Sequence, residues 1–163
     1  VVHPTPSEEA ENNKVLEGLL EMILSTPRTR DEFERYYDLR FRVLREPWGQ
    51  PRGSEKDALE DTSLHVMATE GPMVVGVGRG QMNTKDEAQI RYMAVEETQR
   101  CRGIGGSILA ELESMLREKG AVYVVLDVRE SAVDFYKRHG YEVVGKSHTL
   151  FGVIPHYKMC RTL

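Results

Sequence analysis

Between an apolar, strand-like run and an amphipathic helix the chain reads R-C-R-G-I-G-G, Arg100 to Gly106. No other segment constrains the fold as tightly. Ala88 to Val95 (AQIRYMAV) has a strand composition, with β-branched and aromatic residues. After the glycines, Ile104, Ile108, Leu109, Leu112, Met115 and Leu116 recur at the spacing of one helical face. A glycine turn that opens a helix collects backbone N–H groups without intrahelical partners, and the helix dipole adds partial positive charge there. Such a spot suits an anion, most often a phosphate. Glycine permits positive φ and a close approach by a ligand. Arg100 and Arg102 attract the same charge from further away.

Spacing separates the known glycine-loop chemistries. A Walker A loop needs Lys-Ser or Lys-Thr after its glycines, and none follows here. A dinucleotide fingerprint needs a third glycine where this chain has Ile108. The pattern that fits is [QR]-x-x-G-x-[GA], filled by Arg100, Cys101, Arg102, Gly103, Ile104 and Gly105. On these six residues alone, a tight strand-to-helix turn without a ligand remains open.

The 163 residues suit one domain with a sizeable core. Charged residues (29 %) and hydrophobic residues (40 %) are in an ordinary globular balance. The net charge of −4, without long like-charged blocks, argues against a nucleic-acid surface. Cys101 and Cys160 have no metal-like spacing, so neither a zinc site nor a disulfide framework is expected. They suit a reducing, cytoplasmic compartment. No apolar run approaches the roughly 20 residues that span a bilayer, and no leader pattern is read.

Residues 1–14 are polar and aperiodic, and a flexible tail is expected before a single domain over 15–163. Residues 18–26 read as a first strand, although 15–24 also fit a short helix. T-x-x-E at Thr29 to Glu32 is a capping box. Phe33, Tyr36, Tyr37, Phe41 and Leu44 then share a helix face that ends before Pro47. Ser54 reads as the cap of a short helix to about Asp61. Strands are expected at Leu64 to Thr69, Met73 to Met82 and Ala88 to Val95, forming an antiparallel meander. Gly76, Gly78 and Gly80 alternate along the second of these, as close backbone packing requires. The long helix stops at Gly120. Ala121 to Val128 is a continuous apolar run, read as a strand covered on both faces. Ser131 is expected to cap a short helix ending at Gly140, and Tyr141 to Thr149 and Pro155 to Cys160 close the sheet. The fold class is α/β (α+β): a mixed, mostly antiparallel sheet of six or seven strands with helices on both faces.

This element order, with the glycine loop in its middle, resembles the GCN5-related N-acetyltransferase (GNAT) family over roughly residues 19–163. A second signature carries the same resemblance: Ala132, Phe135, Tyr136, Gly140 and Tyr141 match A-x-x-F-Y-x-x-x-G-[FY]. Tyr36 to Asp61 is similar to the acetyltransferase halves of bacterial proteins that also carry a thioesterase-like domain. The resemblance implies an acyl-CoA-dependent N-acetyltransferase that uses acetyl-coenzyme A and no metal. The acetyl group would pass directly to an amine acceptor, a small molecule or a peptide. It also implies that the diphosphate lies on Arg100, Cys101, Arg102, Gly103, Ile104, Gly105 and Gly106. Met93 and Val95 would pair with the pantetheine arm, and Arg129 would reach the phosphates or the acyl oxygen from the place of the family's usual asparagine. Tyr136 would be the acid for the departing thiolate.

The base is open. The family's strand glutamate aligns with Gln89, which takes no proton near neutrality. Glu87 is read as facing away from it, so His156, in I-P-H-Y-K-M, and His65 are the candidates. His3, His139 and His148 are read as tail or surface residues, and Cys101 as alkylation-sensitive rather than catalytic. Two other readings stand beside the enzyme: a non-catalytic coenzyme A-binding module, favoured by Gln89, and a transferase acting on a thiol or acyl-carrier arm. The latter would use a basic patch of Arg40, Arg42, Arg45 and Arg52, for which a solvated helix face is the competing reading. A homodimer through the closing strands near Ile154 is also expected.

Overall fold

The computed structural model describes residues 5–11 and 21–163. Within the expected tail, positions 6–11 form a short helical segment. The Thr5 N–H donates to the Glu8 carboxylate (2.7 Å) and the Glu8 N–H to the Thr5 hydroxyl (3.4 Å), closing its first turn. Residues 1–4 and 12–14 lie outside the described residues, as does most of the 15–24 alternative. Where that stretch is described, it is a strand, β1 (Met22–Ser25).

The capping box acts as its spacing predicts. The Glu32 N–H donates to the Thr29 hydroxyl (3.1 Å), and the Thr29 N–H donates to the Glu32 carboxylate (3.3 Å). Helix α1 follows (Arg30–Leu44). The meander is β2 (Leu64–Glu70), β3 (Met73–Met82) and β4 (Glu87–Val95). Helix α2 (Ile104–Glu118), β5 (Tyr123–Arg129), α3 (Val133–Arg138), β6 (Glu142–Leu150) and β7 (Ile154–Thr162) complete the order. One seven-stranded sheet results, ordered β1-β2-β3-β4-β5-β7-β6. Only β4 and β5 run parallel, because α2 carries the chain back across the sheet between them.

The two faces of the sheet are covered separately. Tyr36 and Leu39 of α1 pack on Met67, Val74, Val77 and Ala94. On the opposite face, Ile104, Ile108, Leu109, Leu112 and Leu116 of α2 pack on Val66, Ala68, Ala88, Ile90 and Leu126. The alternating glycines of β3 form the bed of α2. A Cβ on Gly76 would stand 2.7 Å from Ile108, and one on Gly78 2.8 Å from Ile108 and 2.9 Å from Leu112.

Two local expectations fail for identifiable reasons. No α-helix forms from Ser54, and only a 3₁₀ turn appears at Glu60–Thr62. The carbonyls a helix would use go instead to arginines: Ser54 O accepts from Arg45 (3.0 Å) and Glu55 O from Arg40 (3.0 Å). Ser131 caps nothing, since a 3₁₀ turn at Glu130–Ala132 runs straight into α3. β5 is covered on both faces only as far as Leu126. At Asp127 one face is exposed.

Candidate active site

Strands β4 and β5 pair only over Glu87 to Gln89 with Tyr123 to Val125, then part. The parting is built into β4 by a bulge, in which Gly78 of β3 faces both Tyr92 and Met93. Tyr92 takes a positive φ of 55°, which is uncommon for a residue with a side chain. Its ring is held among four guanidinium groups: Arg40 (4.4 Å), Arg79 (4.8 Å), Arg91 (5.0 Å) and Arg45 (5.5 Å). The Tyr92 hydroxyl donates to Asp57 at 3.3 Å. Asp57 also accepts two bonds from Arg79 (2.6 and 2.9 Å), which hold its carboxyl at about 2. The strands diverge around a cleft of about 150 Å³, lined among others by Met93, Asp127, Arg129, Tyr136, His148 and His156.

Beside the splay, the chain turns through the glycine loop. Cys101 (φ 64°) and Gly103 (φ 78°) are both left-handed, and Gly103 is the N-terminal cap of α2. The N–H groups of residues 101–106 have no partner among the described residues, and the first to bond back is that of Ser107, to Gly103 O (3.0 Å). Two loop glycines also serve packing. A Cβ on Gly105 would lie 3.2 Å from Phe135, and one on Gly106 2.6 Å from His139. Gly105 faces Val95 as well, so the loop adjoins both the end of β4 and the helix that carries Tyr136. Glu96 N–H donates to Val75 O (2.9 Å). By strand alternation, the Val95 N–H and C=O therefore turn away from β3.

Tyr136 is buried, and its hydroxyl has no partner among the described residues. Burial raises its pKa well above the ordinary phenol range, against the opposing pull of Arg129. Nδ1 of His156 lies 2.9 Å from the Ile154 carbonyl oxygen, which only accepts. That nitrogen therefore carries the proton in the neutral ring, and Nε2 carries the lone pair. Burial lowers the His156 pKa, with His148 and Arg129 acting in the same direction. His148, read from sequence as a surface residue, stacks on His156 with centroids 4.8 Å apart. Ser147 gives its single proton to Asp127 (2.6 Å), so the 3.1 Å contact with His148 Nδ1 is a bond donated by the histidine. Gln89 donates to the other Asp127 oxygen (3.2 Å). Asp127, Ser147 and His148 carry no motif, and only strand pairing brings them to the cleft.

A family model, described as the acetyltransferase (GNAT) family, matches residues 29–141. The chain belongs to the GNAT acetyltransferase family. An uncharacterized N-acetyltransferase of Bacillus subtilis, YjcF, is 36 % identical over 112 residues, 68 % of this chain and 79 % of that one. The [ribosomal protein bS18]-alanine N-acetyltransferase of Haemophilus influenzae is 30 % identical over 115 residues, 69 % of this chain and 77 % of the relative. Among solved structures, an aminoglycoside 6'-N-acetyltransferase complexed with coenzyme A superposes with a TM-score of 0.73 at 18 % identity. That match covers 86 % of this chain and 96 % of that one. An acyl-CoA N-acyltransferase from Pseudomonas aeruginosa gives a TM-score of 0.73 at 21 % identity, covering 88 % and 99 %. The activity class is transfer of an acetyl group from acetyl-coenzyme A to an amine.

Within this GNAT domain the cleft brings together Met93, Arg129, Tyr136 and His156, with the loop alongside. Other expected residues lie elsewhere. His65 is buried beyond the bulge, with Nδ1 on the Tyr36 hydroxyl (3.0 Å) and Nε2 on Glu60 O (2.7 Å), so neither nitrogen is available as a base. Glu87 does not face away from Gln89: residues two apart share a strand face, and the Asn83 amide bonds both (2.9 and 3.1 Å). Glu87 is outside the cleft because it lies in the paired part of β4. His139 is half-buried beneath the loop, bonded to Phe135 O (2.8 Å). His3 lies outside the described residues. Arg102 is turned to Glu70 (2.7 Å). The four-arginine patch does not exist as a surface. Arg40 is buried against Glu60, Arg42 binds Glu96 (3.1 and 3.0 Å) and Asp38, and Arg52 binds Asp38.

Proposed function

We propose that the amides of residues 101–106, with Arg100, hold the diphosphate of acetyl-coenzyme A, and that the main chain of Met93 and Val95 pairs with its pantetheine arm. The observation that carries this reading is a run of N–H groups and a tyrosine hydroxyl, without partners among the described residues, bordering one strand splay. Arg129 stands in the cleft near Tyr136 and attracts anionic groups that enter. Nε2 of His156 takes a proton from the attacking amine. The Tyr136 hydroxyl, kept protonated by burial, donates to the departing sulfur as charge develops there. Neither cysteine lines the cleft, which favours direct attack over an acyl-enzyme. The acceptor is an amine, as with the relatives named for an aminoglycoside and a ribosomal alanine.

Two further expectations belong to the same proposal. Free Cys101 and Cys160 suit a cytoplasmic setting. Ile154, where the sequence leads one to expect a dimer contact, is buried and β7 lies inside the sheet, so a second copy would have to use the edge strand β6, where Val143 and Val144 are exposed.

Gln89 at the family's glutamate position favours one competitor, a coenzyme A-binding module without turnover. Thermal unfolding with acetyl-coenzyme A and desulfo-coenzyme A, followed by thiol release with added amines, separates the two. A ligand at 100 times its dissociation constant stabilises by about 2.7 kcal/mol. At roughly 2–4 °C per kcal/mol for a domain of this size, the transition rises clearly. Stabilisation with release supports the transferase, and stabilisation without release from any amine supports the binding module. No stabilisation sinks both.

A further inference from the structure

The cleft carries positive charge that the described residues do not neutralise. The chain has a net charge of −4. The cleft lining nevertheless includes Arg45, Arg91 and Arg129 against one carboxylate, Asp127. Asp127 is already bonded to Ser147 and Gln89, and Arg91 is paired with Asp57 at 3.4 Å. Arg45 and Arg129 have no carboxylate partner among the described residues, and Arg129 has no hydrogen bond there. Arg45 is nevertheless fixed in place. Its Nε donates to Ser54 O (3.0 Å) and its Nη1 to Leu44 O (3.1 Å), and it stacks near Tyr92 and Phe151. Burial lowers the pKa of both groups, and the charges of Arg45 and Arg100 add to the effect at Arg129.

A partly buried guanidinium without an anion is costly to keep, and two facing one cleft repel each other. The diphosphate has its own donors at the loop. We propose that the acceptor is an amine carrying a carboxylate within a few bonds of its nitrogen, and that Arg45, with Arg129, receives that carboxylate. The proposal rests on the acetyl-transfer reading and names its substrate class. The arrangement serves the chemistry in two ways. An arginine fork binds a carboxylate with defined geometry and so orients the amine. The same positive field disfavours an ammonium ion and releases the neutral nucleophile, which a site with Gln89 in place of a carboxylate base needs.

The test measures thiol release from acetyl-coenzyme A with α-, β- and γ-amino acids. Each is matched with its carboxamide and with the decarboxylated amine. For the acid that is accepted, kcat/KM exceeds that of its carboxamide by about tenfold to a hundredfold, the worth of a charged hydrogen bond. Arg45→Gln collapses that ratio toward one by raising KM for the acid, with KM for acetyl-coenzyme A unchanged. Arg45→Lys retains part of the preference, which a merely structural role would not produce. A preference for amides or polyamines, or a ratio indifferent to Arg45→Gln, overturns the proposal. So does turnover of no acid when acetyl-coenzyme A stabilises the protein. Failure of acetyl-coenzyme A to stabilise the fold overturns the transferase reading itself, and is recognisable by that.

Discussion

Glu60→Gln probes the buried charges that hold the Tyr92 bulge. Arg40 and Arg79 have fully buried side chains, and one Glu60 oxygen accepts from both, at 2.8 and 2.7 Å. It also accepts from the Asp57 N–H at 3.2 Å. Arg79 keeps Asp57 when Glu60 loses its charge, whereas Arg40 has no other carboxylate among the described residues. Glutamine preserves volume and offers one acceptor, but it leaves the Arg40 charge buried and uncompensated. Breaking such a pair costs about 3–5 kcal/mol. At roughly 2–4 °C per kcal/mol for a domain of this size, Tm falls by roughly 6–20 °C. The lower part of the range is expected, because the glutamine oxygen and the Tyr36 hydroxyl (2.8 Å from Arg40 Nη2) remain. Thermal unfolding followed by near-ultraviolet circular dichroism reads the shift, since four arginines surround Tyr92. The double variant Arg40→Met with Glu60→Gln removes both charges and regains more than half of the loss. A fall under about 2 °C in the single variant, or strictly additive losses in the double one, would refute the reasoning.

Four further outcomes follow from the same geometry. Tyr136→Phe lowers kcat by about a hundredfold or more while the dissociation constant of acetyl-coenzyme A stays unchanged; weakened binding instead would mean a packing role. Because burial lowers the His156 pKa, the proposed base is neutral at pH 7. The acid limb of kcat/KM therefore lies below about 6.5 and disappears in His156→Ala, and a limb surviving that change assigns the base elsewhere. The same depression means that the unfolded chain takes up this proton first, so stability falls as pH drops below that value. Gly78→Ala places a Cβ 2.6 Å from Met93 Sδ and under 3 Å from Ile108 and Leu112. It costs about 1–3 kcal/mol by overpacking, measured by urea unfolding.

Much of this protein was legible residue by residue. The capping box at Thr29, the α2 stripe from Ile104 to Leu116 and the turn-bounded apolar runs of β2 to β4 are local signals. They act within one element, and the described elements follow them closely. The glycine loop was also local, since left-handed backbone at Gly103 and a helix N-terminus are properties of neighbouring residues. Tyr136 and His156 were reached through motif resemblance. Ser54 to Asp61 misled because its helix-like start is overridden by distant arginines that take its carbonyls.

By itself, then, the sequence determined most of the elements, the strand–loop–helix unit with its glycine turn, and the family. Only the tertiary structure decided what fills the cleft. The Asp127–Ser147–His148 chain, the stacking of His148 on His156 and the lack of a carboxylate partner for Arg45 and Arg129 among the described residues join the C-terminal cap of α1 to β5, β6 and β7. Whether an arginine is buried in a pair, like Arg40, or left facing the cleft, like Arg45 five residues later, depends on which carboxylates the fold brings within reach. Periodicity along a chain carries no information about that distance, because it is set by register and crossing between elements far apart in sequence.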